Sequence, residues 1–91
     1  MIRYYVCGLG YDENGNITDY ERNFGDFDTY EKAYARFVTV QCTDRDVLFA
    51  NVGVNQLLLQ LEECEETDEE INCIDVKNEW WITNPNFKEE N

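Results

Sequence analysis

The chain has 91 residues, with 20 Asp and Glu against 7 Lys and Arg and no His, and a formal net charge of −13. So few cations cannot displace the counterions of a phosphate backbone or hold an anionic membrane surface, and no stretch approaches the roughly 18 to 20 apolar residues of a spanning helix. Direct nucleic-acid and membrane binding are therefore excluded, while 43% apolar and 14% aromatic residues supply one modest core.

Met1-Ile2-Arg3-Tyr4 runs directly into a strand pattern without the apolar region of a secretory signal, so a cytoplasmic location is expected. A first strand over Ile2 to Tyr11 ends at Asp12-Glu13-Asn14-Gly15-Asn16, where Asn-Gly favours a hairpin because both residues tolerate positive φ. Its partner is predicted over Ile17 to Phe24. Asp12, Asn14 and Asn16 have the 1, 3, 5 spacing of a calcium loop, but position six is Ile17 and position twelve is Asn23, so an EF-hand is rejected. Gly8-Leu9-Gly10 is too short for a phosphate loop and precedes a turn rather than a helix.

A helix is predicted over 29–42. Asp28 is placed to cap it, with Glu31 completing a capping box, and Tyr30, Ala33, Tyr34, Phe37 and Val38 form its apolar stripe. Residues 44–56 read as a loop containing a short irregular element.

Leu57-Leu58-Leu59-Gln60-Leu61 has helix-forming composition, and a helix over 55–66 is a competing reading. A hairpin turning at Thr67 to Glu70 is preferred, because pairing numbers that sum to 137 sorts the apolar residues to one face. That register sets Leu57 against Trp80, Glu62 against Asp75, Leu58 against Glu79 and Cys64 against Cys73. Trp80 is expected in the core and Trp81 beside Glu79 on the acidic side, as an anchor, in a second small core or as an end-of-strand cap. Asn84-Pro85 ends the strand, leaving one domain over 1–84 and a frayed tail over 85–91. The fold class is α+β, an antiparallel sheet of about four strands in two hairpins with one helix on one face.

The residues point away from catalysis. There is no His to serve as a base near neutrality, and Cys7, Cys42, Cys64 and Cys73 contain no C-x-x-C pair, so reduced thiols are expected rather than zinc. No cofactor is assigned. Glu62, Glu63, Glu65, Glu66, Asp68, Glu69 and Glu70 place seven acids in nine residues. Such a run is a solvated tip, a calcium- or magnesium-binding module, or a surface whose carboxylates imitate nucleic-acid phosphates. In the last case Glu62, Glu63, Glu65, Glu66, Asp68, Glu69, Glu70, Asp75 and Glu79 engage a basic partner, with Trp81 as apolar anchor and Tyr20 and Tyr30 as weaker candidates.

The Tyr-rich first strand, the Asp12 to Asn16 turn, the Asp28-Thr29-Tyr30-Glu31-Lys32-Ala33-Tyr34 helix start and the Glu-rich hairpin resemble the small acidic proteins of bacteriophages and prophages, and among these the anti-CRISPR proteins. The resemblance implies an inhibitor that blocks a CRISPR effector nuclease by occupying its DNA groove. The alternatives are the acidic cation-binding module and an acidic antidote or immunity protein for a basic toxin.

Overall fold

The structure is a computed structural model and describes residues 1–50 and 52–85. Four strands and two helices follow one another as β1 (Ile2–Tyr11), β2 (Ile17–Phe27), α1 (Tyr30–Gln41), α2 (Arg45–Leu48), β3 (Gln56–Glu66) and β4 (Ile71–Thr83). The strands form one antiparallel sheet in the order β2-β1-β3-β4, with α1 lying over β2, β1 and β3. This is the α+β class expected from the sequence. Residues 86–91, most of the expected tail, lie outside the described residues.

The β1–β2 turn is built by Asp12, whose side chain accepts from the N–H groups of Asn14 and Asn16, both at 2.9 Å, while Gly15 takes a φ of 79°. The calcium-like spacing thus serves an Asx turn. Gly8 and Gly10 also have a packing reason: a Cβ on Gly10 would lie 2.6 Å from Val54 Cγ1 and 2.9 Å from Tyr20 Cβ.

Helix α1 begins one residue later than predicted. Thr29 is the N-cap, accepting from the Lys32 N–H, whereas Asp28 pairs with the Lys32 ammonium at 3.0 Å. Thr29 has the extended backbone a cap requires. The buried stripe is Ala33, Phe37 and Val40, and Tyr34 and Val38 stay largely exposed. The irregular segment contains the single turn α2, and its Leu48, with Phe49 and Val54 beyond it, joins the core.

β3 is a strand, not a helix, and lies inside the sheet, where a run of leucines is buried from both sides. Leu57, Leu59 and Leu61 join Val6, Phe24 and Ile82 beneath α1. Leu58 is buried on the opposite face, where it pairs with Leu9 and Trp81.

The predicted hairpin register holds only near the turn, where Cys64 faces Cys73 and Glu66 faces Ile71. Two irregularities, between Glu63 and Cys64 and between Leu61 and Glu62, each shift it by one residue. Beyond them Leu57 faces Ile82, Leu59 faces Trp80 and Gln60 faces Glu79. Two one-residue shifts restore the alternation of faces, so the apolar sorting survives although most individual pairs differ. Ile82, not Trp80, fills the core position opposite Leu57, and Trp80 remains 52% exposed on the edge strand.

Candidate functional site

The open face of the sheet and the β3–β4 turn carry the acidic groups, but the nine predicted acids do not form one surface. Glu62 and Glu66 lie on the open face, and Glu79 joins them opposite Gln60. Glu63, Glu65 and Asp75 take the other parity. The predicted pair of Glu62 and Asp75 does not form: Glu62 faces Val76 and Asp75 faces Glu63. Lys77, the residue displaced by one irregularity, relieves that like-charge pair from 3.1 Å to Asp75 and 3.8 Å to Glu63.

Several of these carboxylates are already engaged. Glu63 accepts from the Tyr4 hydroxyl at 3.2 Å, Glu65 binds the N-terminal ammonium at 2.8 Å, and Glu66 lies 3.7 Å from Arg3, which also pairs with Asp26. Asp68, Glu69, Glu70 and Glu79 are exposed, and none forms an ion pair among the described residues. The turn that presents the first three is ordered by Thr67. Its N–H donates to the Glu70 carbonyl at 2.9 Å, and its Oγ1 accepts from the Glu69 and Glu70 N–H groups at 3.4 and 3.2 Å.

The cations, by contrast, are used internally. Arg36 donates to the Phe24 carbonyl, Arg45 to the carbonyls of Gln41 and Thr43, and Arg22 sits over the Phe24 ring at 4.9 Å. With Arg3, Lys32 and Lys77 in ion pairs, every described Lys and Arg has an internal partner.

Trp81 emerges on the open face, the same-face neighbour of Glu79 along β4 as predicted, and stands opposite Leu58. Its ring meets Tyr11 edge-on at 4.9 Å, and half of the side chain remains exposed. It therefore belongs to a second small apolar cluster while keeping an accessible surface. Tyr30, one of the weaker anchor candidates, donates to Asn78 at 2.8 Å and packs against Tyr4 and Tyr34; Tyr20 packs against the core. Trp80, assigned to the core from sequence, is the aromatic that the site reading missed.

The other unpredicted feature is a trough of about 490 Å³ on the open face, lined by Tyr5, Cys7, Glu21, Glu62, Cys64 and Cys73 among others. Within it the ligand atoms of Glu62, Cys64 and Cys73 all lie within 4.8 Å of one another. Burial pushes the Cys7 thiol up to about 12, and burial together with Cys73 pushes the Cys64 thiol up to about 11. Burial, reinforced by Glu62, also raises Cys73, and burial followed by repulsion from Glu21 raises the Glu62 carboxyl. Three thiols held protonated at neutral pH are poor nucleophiles. The pairing of Cys64 with Cys73 was the available sequence signal for this cluster; Cys7 and Glu62 join it only through the β1–β3 register.

No protein-family model, curated protein or solved structure matches the chain.

Proposed function

We propose that the protein is a non-catalytic inhibitor that binds a basic nucleic-acid-handling protein through the β3–β4 hairpin and competes with DNA. The observation that carries this reading is the separation of charge. Among the described residues every Lys and Arg has a partner within the chain, whereas Asp68, Glu69, Glu70 and Glu79 on one hairpin form no ion pair. A basic groove would be drawn by the long-range field of −13 net charge and would pair its Lys and Arg with these four carboxylates. Trp81, and Trp80 on the opposite face, supply the half-exposed aromatic area from which affinity arises between charged contacts. Glu63, Glu65, Glu66 and Asp75 are secondary, because each must first release an internal partner.

The resemblance to anti-CRISPR proteins makes a CRISPR effector nuclease the first partner to test, in the cytoplasm of the host cell. Absence of a histidine and protonation of the trough thiols support a binding role over an enzymatic one. The test reverses Asp68, Glu69, Glu70 and Glu79 to Lys together. Capture of the nuclease, and relief of its DNA cleavage, should be lost while circular dichroism stays unchanged. Unchanged capture by the folded variant would refute the hairpin as the interface.

A further inference from the structure

We propose that Glu62, Cys64 and Cys73 form a zinc-binding site on the open face of the sheet, independent of the acidic hairpin tip. The three donors come from adjacent positions on two strands. Glu62 and Cys64 are same-face neighbours on β3, and Cys73 lies directly across on β4, which brings all three ligand atoms within 4.8 Å of one another. Ligands of a tetrahedral zinc with bonds of about 2.3 Å to sulfur and 2.0–2.2 Å to oxygen stand roughly 3.5–3.8 Å apart, so the cluster must contract by only about 1 Å. Cys7, on neighbouring β1, lines the same trough.

Two further observations favour a cation here. The Glu62 carboxylate is half-buried, faces Glu21, and makes no ion pair among the described residues; Arg22, which also lines the trough, is held over Phe24. A desolvated carboxylate without a positive partner is costly, and a divalent ion removes that cost. The two thiols face each other across β3 and β4 and lie beside the carboxylate, so a metal arriving there replaces two thiol protons and gains three anionic ligands. A pair of thiolates with one carboxylate suits zinc, whereas calcium and magnesium require all-oxygen sets and copper(I) favours sulfur alone. The cation-binding alternative considered from the acidic run thus moves to a different cluster and a softer metal.

Cobalt(II) titrated into the reduced full-length chain tests the site, because thiolate ligation gives a near-ultraviolet charge-transfer band and tetrahedral geometry gives intense visible bands. One equivalent of cobalt should produce both, zinc should displace them, and zinc should raise the melting temperature. Cys73→Ser, at an exposed position that leaves the core intact, should weaken binding by at least the roughly 10–100-fold that loss of a mere outer-shell partner costs. Glu62→Gln should weaken it similarly, and Cys42→Ser, on the far end of α1, should change nothing. Absence of the charge-transfer band, or its survival undiminished in Cys73→Ser, would overturn the proposal. Because the tip carboxylates are untouched, failure here leaves the partner-binding reading standing, and the reverse also holds.

Discussion

The two faces of the sheet solve the same problem of four twisted strands in opposite ways. Under α1, Leu57, Leu59, Leu61 and Ile82 are almost completely excluded from water and meet the helix residues Ala33, Phe37 and Val40. Among the described residues no helix covers the open face. It buries Leu58 beneath Leu9, Tyr11 and Trp81 at one end and fills the other with thiols, Glu62 and the Arg3 ion pairs. With α1 committed to one face, the other holds polar and polarisable groups whose protonation or ligation remains adjustable. The covered face supplies stability, and the open face and its adjoining turn are where a partner or an ion can act.

The largest way to break this division is a cavity on the covered side. Leu59→Ala removes a fully buried side chain, and the loss should be about 2–5 kcal/mol, read as a lower urea midpoint with an unchanged slope. The equivalent truncation on the open face should cost less. Trp81 is half exposed and touches a single small cluster, so Trp81→Ala should destabilise by about 1 kcal/mol, mostly the lost ring contact and part of the buried area. Its effect on partner capture should exceed its effect on folding. A Trp81→Ala loss comparable to that of Leu59→Ala would show that the open face is a second core rather than a surface held ready.

The contrast between the faces was largely legible in the sequence; the individual contacts were not. Alternation in β3 separates Leu57, Leu59 and Leu61 from Leu58 whatever the partner strand does, and the Asn14-Gly15 turn and the Ala33–Phe37 spacing define their elements locally. The register of β4 depends instead on two irregularities, which no propensity signals and which move Asp75 away from Glu62 and set Trp80 opposite Leu59 instead of Leu57. Helix α1 lies chiefly over the other three strands, which is why an apolar residue on the correct face of β4, Trp80, still meets solvent. The trough escaped for another reason. Cysteine spacing along the chain reveals metal sites built on one loop, whereas Cys7, Glu62, Cys64 and Cys73 are gathered from three strands.

The smallest expected effect probes the open face most directly. Burial raises the Glu62 carboxyl above its ordinary 4.5, so in metal-free protein its negative form is less favourable folded than unfolded. A group raised in this way contributes stability that is fully present below the unfolded value and is lost as pH rises through the folded value. Glu62→Gln, measured in the presence of a chelator, should therefore be more stable than the parent at pH 7 and lose that advantage below about pH 4, where both side chains are uncharged. Glu79→Gln removes the same formal charge from an exposed position on the same face, and so measures the general relief of self-repulsion in a chain of net charge −13. A gain from Glu62→Gln that exceeds the Glu79→Gln gain, and that zinc reverses, identifies Glu62 as a carboxylate buried for a ligand. Equal gains with the same pH profile would reduce it to one acid among twenty, and the open face to a solvated surface.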